Sequence, residues 1–274
     1  MRRAPGRLVL VGHPVAHSLS PALQNAALRY AGLPIRYEAI DVKPDKLGSA
    51  VQRLVAARAA GNVTIPHKEA MARHCSRLDP VAERVNAVNA FRVADDGVLE
   101  GTNTDVGGFD ALAREAGALR TGTHVALLGA GGSAAAVLAA LERWSGATVS
   151  VFNRTTDRAT SLAARFPIVK AVMPTAADAV KGASVVVNAT SLGLNPADDL
   201  PVAISSLRPG AVVLDLVYRP RETAWVKAAR ERGHPAVDGL CMLLEQGALA
   251  FEWWLGIAAP RDVMREALMS AVHA

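Results

Sequence analysis

The run Val125-Ala126-Leu127-Leu128-Gly129-Ala130-Gly131-Gly132-Ser133-Ala134 joins an apolar segment to an alanine-rich stretch. This order predicts a strand, a tight turn and a helix. Glycines in such a turn let the backbone approach a pyrophosphate closely, and the N–H groups that open the helix face its charge. An ordinary strand-to-helix turn would look similar, but the context favours a dinucleotide site. Its expected residues are Gly129, Ala130, Gly131, Gly132, Ser133 and Ala134.

Apolar β-leaning runs alternate with helical patterns on both sides of this turn. Downstream, a Rossmann-type rhythm is expected, with strands at 125–128, 148–152, 185–188 and 212–215 and helices at 133–143 and 156–165. Upstream, a second and mainly parallel layer is expected, with strands at 8–11, 36–40 and 62–65 and helices at 22–30, 46–59 and 68–74. The pair Asp96-Gly97 between two apolar runs indicates a hairpin, and therefore an antiparallel edge.

The predicted fold is therefore α/β with two domains, which suits a chain of 274 residues. An N-terminal α/β domain with a mainly parallel sheet is expected over 1–105. Two C-terminal helices within 239–274, interrupted near 256–260, would complete it. A Rossmann-type NADP-binding domain is expected over 106–238.

The composition excludes several classes of protein. Hydrophobic residues make up 51% of the chain, which excludes disorder. Cys75 and Cys241 lie far apart and show no metal-ligand spacing, so we expect no disulfide, no metal and a cytoplasmic location. The net charge of +5 is spread along the chain, and the longest uncharged stretch is interrupted by glycines. We therefore expect small-molecule partners, no nucleic acid and no membrane, while a homodimer is compatible with the sequence.

The residues after the second Rossmann strand indicate which nucleotide binds. An NAD site usually has an acidic residue there, about 20 residues beyond the glycines, which accepts hydrogen bonds from the ribose hydroxyls. This chain has Asn153-Arg154-Thr155 instead, and Arg158 follows one helical turn later. Guanidinium groups match phosphate oxygens, so these residues favour NADP with its 2′-phosphate. The alternative is that both arginines are solvated and that Asp157 pairs with them locally.

Polar residues crowd the predicted loops before the nucleotide turn. They are Ser18, Ser20, Asn62, Thr64, Lys68, Asn89 and the run Gly101-Thr102-Asn103-Thr104-Asp105. Taken singly, Lys68 could be a surface lysine and Asp105 a helix cap. Loops that follow strands also carry the binding residues of many α/β proteins, so the concentration of polar groups here indicates a site.

Taken together, these segments resemble the shikimate dehydrogenase family from about residue 8 to 256. The loop around Ser18 is similar to the family's serine-rich substrate loop, Asn62-Val63-Thr64-Ile65-Pro66-His67-Lys68 to its lysine motif, and Asn103-Thr104-Asp105 to its aspartate motif. Three further stretches match in the family's order: Asn188-Ala189-Thr190-Ser191-Leu192-Gly193, Asp215-Leu216-Val217-Tyr218 and Gly239-Leu240-Cys241-Met242-Leu243-Leu244-Glu245-Gln246-Gly247-Ala248.

The resemblance implies a reversible, NADPH-dependent reduction of 3-dehydroshikimate to shikimate, with Lys68 and Asp105 as the reacting pair. The chemistry agrees, because hydride transfer to a ketone develops negative charge that an ammonium can stabilise and protonate. The implied substrate contacts are Ser18, Ser20, Asn62, Thr64, Asn89, Thr104, Tyr218 and Gln246. Thr190 and Gly239 would join the cofactor contacts.

Three positions depart from the family's pattern. Gln24 stands where histidine is usual, Asn86 replaces glycine and Ala90 replaces threonine. Loss of the hydroxyl at 90 bears on substrate choice more than on reaction type. A quinate/shikimate or aminoshikimate dehydrogenase that accepts NAD therefore stays open as an alternative. A non-catalytic nucleotide-sensing module on the same fold is the third reading, although Lys68 and Asp105 are both present.

Overall fold

The computed structural model describes residues 5–119, 121–219 and 221–273. The chain forms two compact units. The first comprises described residues up to Gly107 and from Leu243 onward, and the second runs from Gly108 to Met242. The predicted boundaries near 105 and 238 lie a few residues before these divisions.

The helices and strands of the described residues, in chain order, have the following bounds. They are β1 (Arg7–Gly12), α1 (Ser20–Tyr30), β2 (Tyr37–Asp41), α2 (Leu47–Ala56), β3 (Ala59–Val63), α3 (Lys68–His74), β4 (Arg77–Leu78), α4 (Pro80–Val85), β5 (Ala90–Val93), β6 (Leu99–Thr102), α5 (Asp105–Glu115), β7 (His124–Leu128), α6 (Gly132–Leu141), β8 (Thr148–Phe152), α7 (Thr156–Arg165), β9 (Val169–Val172), α8 (Ala176–Val180), β10 (Val185–Asn188), β11 (Val212–Asp215), α9 (Ala224–Glu231), β12 (Ala236–Val237), α10 (Leu240–Leu255) and α11 (Arg261–His273). Short 3₁₀ turns lie at Pro44–Lys46 and Ile204–Ser206.

The first unit is built on a six-stranded sheet in the order β2-β1-β3-β5-β6-β4. Strands β1, β2 and β3 run parallel, whereas β5 is antiparallel to both β3 and β6. The predicted antiparallel hairpin is thus confirmed, but it does not form the edge of the sheet, because the short strand β4 pairs parallel with β6 outside it. Leucine, valine and phenylalanine side chains such as Val9, Leu47 and Phe91 form the core that holds α2 and α3 against this sheet.

The second unit has six parallel strands in the order β12-β11-β10-β7-β8-β9. The chain winds outward from β7 through β8 and β9, then returns to the other side of β7 with β10. Ligands of such sheets bind at the carboxyl ends of the strands where the winding direction changes. Here that point lies between β7 and β10, directly beside the glycine run. The predicted α/β fold with a Rossmann-type half is confirmed.

Some predicted elements were wrong in extent or were missed. The helix expected over 46–59 ends at Ala56, and Ala59 already belongs to β3, which ends at Val63 instead of continuing to 65. Alanine carries little local preference for a strand, and pairing of Ala59 and Ala60 with β1 decides their conformation. The short elements β4, α4, β9, α8, α9 and β12 gave no periodic signal long enough to indicate them.

Asn86 ends α4 in the left-handed conformation, with φ 53° and ψ 39°. Residues with a Cβ are strained there, but asparagine tolerates the region better than most and glycine is unstrained. The departure from glycine at this position is therefore compatible with the same backbone path, which leads directly to Asn89.

We predict that Asn86→Gly keeps the stability of the fold while Asn86→Ala lowers the free energy of unfolding by about 1 kcal/mol relative to the glycine variant, because only alanine adds left-handed strain. Urea unfolding followed by circular dichroism measures both. Equal midpoints for the two variants would contradict this explanation of the α4 terminus.

Candidate active site

Lys68 and Asp105 form a largely buried ion pair in the first unit. Lys68 is the first residue of α3 and Asp105 the first of α5, so each follows a strand of the sheet at its carboxyl end. The Lys68 Nζ and Asp105 Oδ2 atoms lie 2.6 Å apart, with side-chain exposures of 14% and 5%. Desolvation of two charges is costly unless further hydrogen bonds hold them.

Asn89 supplies those hydrogen bonds. Its Nδ2 donates to Asp105 Oδ1 at 2.8 Å and to Thr104 Oγ1 at 2.9 Å, and lies 3.3 Å from Gln246 Oε1. Its Oδ1 accepts from the Thr104 backbone N–H at 2.7 Å. Asn89 is 1% exposed, so this amide is fixed from both ends. The Asp105 carboxylate is thereby held between one cation and one amide.

Helix α10 is tied to the same cluster. The Thr104 hydroxyl donates to the Gln246 backbone carbonyl at 2.9 Å, while Gln246 Nε2 donates to the Leu243 carbonyl at 2.8 Å. Gln24 on α1 donates from Nε2 to the Gly247 carbonyl at 2.9 Å. The glutamine that replaces histidine at 24 thus holds α10 next to Gln246.

A tyrosine that sequence patterns did not indicate completes the cluster on its other side. The Tyr37 hydroxyl donates to Asn62 Oδ1 at 2.8 Å, and Asn62 Nδ2 donates to the Asn89 carbonyl at 3.2 Å. Tyr37 is 1% exposed at the start of β2. Only the pairing of β2, β1 and β3 brings it to Asn62, so no local signal could have found it.

The remaining predicted substrate residues are Ser18, Ser20, Thr64 and Tyr218. Ser18 Oγ accepts from the Ser20 backbone N–H at 3.2 Å, at the start of α1. Thr64 follows β3 directly and is partly buried. Tyr218 lies in the second unit, just after β11, and is also partly buried. Ala90 is fully buried and pairs with Asn62 and with Thr102.

The glycine run has the geometry that a pyrophosphate needs. Gly129 has φ 116°, and a Cβ there would lie 2.7 Å from the Ala189 carbonyl oxygen, which excludes other residues. Gly131 is the N-cap of α6, and a glycine has no side chain that could cap the first N–H groups of the helix. Within the described part of the chain, no atom lies within 4 Å of a Cβ built on Gly131, so the space before the helix is open. The residues present fit a dinucleotide phosphate.

The residues after β8 fit the extra phosphate of NADP. Asn153 Nδ2 donates to the Thr155 carbonyl at 2.9 Å and shapes the turn before α7. Arg154 and Arg158 are both exposed at the start of that helix, as is Asp157. Thr190 follows β10, and its hydroxyl donates to Asn188 Oδ1 at 2.6 Å. A Cβ on Gly239 would lie 2.3 Å from the Leu216 carbonyl oxygen, so the chain passes β11 closely here.

No group of three or more His, Cys, Asp or Glu side chains in the described ranges could hold a metal ion. Across the same ranges, none of the helices has both the length and the apolar character needed to cross a bilayer. Cys75 and Cys241 form no disulfide with any described residue, and burial raises the pKa of Cys75 to about 12.

Family models match most of the chain. The shikimate dehydrogenase substrate binding domain matches residues 10–91, the shikimate / quinate 5-dehydrogenase model residues 111–197 and the shikimate 5′-dehydrogenase C-terminal domain residues 239–269.

Full-length relatives carry the same description. The shikimate dehydrogenase (NADP(+)) of Moorella thermoacetica is 42% identical over 100% of this chain and 96% of its own length. That of Rubrobacter xylanophilus is 44% identical over 94% of each. The crystal structure of shikimate 5-dehydrogenase from Thermus thermophilus in complex with NADP(H) and shikimate has a TM-score of 0.85 and 38% identity, covering 97% of this chain and 99% of that one. The chain therefore belongs to the shikimate dehydrogenase family.

Proposed function

We propose that this protein is an NADP-dependent shikimate dehydrogenase, an oxidoreductase that reversibly reduces 3-dehydroshikimate to shikimate in aromatic amino-acid biosynthesis. The observation that carries the proposal is the buried Lys68 and Asp105 pair, 2.6 Å apart, in a chain of this family. An ammonium and a carboxylate at the carboxyl edge of a sheet are suited to proton transfer at a substrate oxygen.

Lys68 acts as the proton donor. NADPH, when bound, supplies the hydride. Negative charge then develops on the carbonyl oxygen, and the Lys68 ammonium stabilises it and passes a proton to it. Asp105 orients the ammonium through Oδ2, and Asn89 fixes the carboxylate through Oδ1. The reverse reaction runs the same proton back to Lys68.

The other polar residues bind and orient the substrate. Asn62, Asn89, Thr104 and Gln246 belong to one hydrogen-bonded cluster with Asp105, which presents several fixed polar groups to a small polyhydroxylated acid. Ser18, Ser20, Thr64 and Tyr218 add hydroxyl donors for its carboxylate and ring oxygens. Each of these roles is a proposal from motif position and placement.

The second unit binds NADP. The phosphates of NADP would bind at the N-terminus of α6, because this helix end is open and offers the N–H groups of its first turn together with the positive end of the helix dipole. The residues that would bind them are Gly129, Ala130, Gly131, Gly132, Ser133 and Ala134. Asn153, Arg154, Thr155 and Arg158 bind the 2′-phosphate. Thr190 and Gly239 would be further contacts of the cofactor.

The cytoplasm is the proposed location, since cysteines that form no disulfide persist best in a reducing compartment. Small molecules are the proposed partners. A homodimer stays a prediction. Analytical ultracentrifugation would test it, because a dimer has twice the 28.6 kDa mass of one chain.

Quinate or aminoshikimate as substrate, with NAD, is a second candidate. It is favoured by Ala90, which puts a methyl group in place of a hydroxyl beside Asn62, and by Asp157 near the ribose position.

A matrix of shikimate and quinate with NADP and NAD decides between the candidates. We expect shikimate with NADP to give the highest kcat/KM. A tenfold preference for NAD would mean about 1.4 kcal/mol of transition-state stabilisation in favour of the second candidate. Absence of turnover in every combination, with tight NADPH binding retained, would support a nucleotide sensor.

We predict that Lys68→Ala lowers kcat by about 10²–10⁴-fold, because it removes the proton donor and leaves NADPH binding intact. Initial rates and NADPH fluorescence titration measure the two effects. Lys46→Ala is the matched control, since Lys46 pairs with Asp45 at 3.1 Å on the surface. Unchanged turnover in the Lys68 variant would refute its assignment.

We predict that Arg154→Ala and Arg158→Ala each raise the KM for NADPH about 10- to 100-fold and leave the KM for NADH nearly unchanged, because a charge-assisted hydrogen bond to phosphate contributes about 1.5–3 kcal/mol. Arg208→Ala is the control, an exposed arginine before β11 at the opposite edge of the sheet. Equal losses with both cofactors would show that the arginines do not bind the 2′-phosphate.

A further inference from the structure

We propose that Asp215 is a positioning residue whose buried carboxylate fixes the three loops that bear Thr190, Tyr218 and Gly239. The inference deepens the proposed function, on which it rests for the roles of those three residues. Asp215 ends β11, next to the point where the winding of the second sheet changes direction.

The first loop is held through Asn188. Asn188 Oδ1 accepts from both the backbone N–H of Thr190, at 3.0 Å, and the Thr190 hydroxyl, at 2.6 Å. Asn188 Nδ2 donates to the Leu192 carbonyl at 3.0 Å and to Asp215 Oδ1 at 2.8 Å. One amide therefore shapes the loop after β10 and ties it to the carboxylate on β11.

The other two loops are held through Val217. Its backbone N–H donates to Asp215 Oδ1 at 3.1 Å, and its carbonyl accepts from the Gly239 N–H at 3.0 Å. Val217 is thus bonded on both sides, directly before Tyr218 and opposite Gly239. A change at the carboxylate would be transmitted to both segments by one residue.

The second carboxylate oxygen is held by Thr223. The Thr223 hydroxyl donates to Asp215 Oδ2 at 2.7 Å and accepts from the Val226 N–H at 3.2 Å as the cap of α9. Asn188, Asp215 and Thr223 each have 0% exposure. The carboxylate is therefore held by three neutral donors and is shielded from bulk solvent.

Fold stability alone gives little reason for a carboxylate at this place. Burial raises the pKa of Asp215 to about 6, and the nearby Asp238 carboxylate adds to that effect. A buried charge of this kind is costly, and a neutral acceptor of the same shape could hold most of the same donors without that cost. What a carboxylate offers here is acceptor capacity, because its two oxygens serve three donors from three segments.

An asparagine at 215 keeps two of the three hydrogen bonds and reverses the third. Its Oδ1 would still accept from Asn188 and Val217, and its Nδ2 would donate to the Thr223 hydroxyl, which keeps accepting from Val226 and loses only the acceptor of its own O–H. We therefore expect Asp215→Asn to bind NADPH within threefold of the unsubstituted chain. Asp215→Ala leaves three buried donors without an acceptor, and we expect its Kd for NADPH to rise at least tenfold.

Thr223→Val tests the same network where Asp215→Ala does not fold. It removes the hydroxyl that donates to Asp215 and caps α9 while nearly keeping the side-chain shape, and we expect a three- to tenfold rise in the Kd for NADPH. Thr223→Ser keeps the hydroxyl and should show no such rise. Thr175→Val is the matched control, because Thr175 caps α8 through the Asp178 N–H on the surface of the same unit. It should lower stability with no effect on NADPH.

The experiment combines NADPH fluorescence titration, urea unfolding and amide hydrogen exchange of peptides that cover 189–193, 216–219 and 238–240. Positioning predicts faster exchange in all three segments and a higher Kd in Asp215→Ala or Thr223→Val. Unchanged Kd and exchange in a folded variant, with only the unfolding midpoint lowered, would overturn the proposal. Exchange is read without substrate or cofactor, so failure of the full-length chain to reduce dehydroshikimate would refute the proposed function and leave this result standing.

Discussion

The first unit depends on the desolvation of one ion pair. An ammonium and a carboxylate that are mostly removed from water must be held by further polar groups, or their burial destabilises the fold. Lys68 and Asp105 meet this condition through Asn89, which is itself held by Thr104. The need to satisfy each buried group in turn explains why polar residues from β3, α3, α5 and α10, and from the position just before β5, gather at one point.

In both sheets the candidate catalytic and binding residues lie at the carboxyl ends of the strands, for the same geometric reason. Side chains and loops that follow parallel strands converge at one edge, whereas helices cover the faces. Lys68 follows β3 in the first unit, and the glycine run follows β7 in the second. Short connections keep these groups on rigid elements, so their positions are set by the backbone rather than by flexible side chains.

The amino-acid sequence predicted those groups that lie within local motifs. The glycine run, the serine loop and the segments around Lys68 and Asp105 each carry their signal within a few residues. It did not predict roles for Tyr37 or Thr223, because each acts through a partner that only the folded chain brings near. Asp215 lay inside a recognised motif, but its role depends on Asn188, which precedes it by 27 positions. Short elements such as α4 and β12 were missed because they are too brief for a periodic pattern.

Two buried aspartates have different roles because their surroundings differ. Asp105 contacts a cation that can exchange a proton, so its charge is part of the chemistry. Asp215 contacts three neutral donors, and its charge is a cost that burial increases. Replacing a carboxylate by an amide therefore has opposite meanings at the two sites. At 105 it removes the negative charge that pairs with a reacting ammonium, whereas at 215 it removes a costly charge and keeps the oxygen that accepts from Asn188 and Val217.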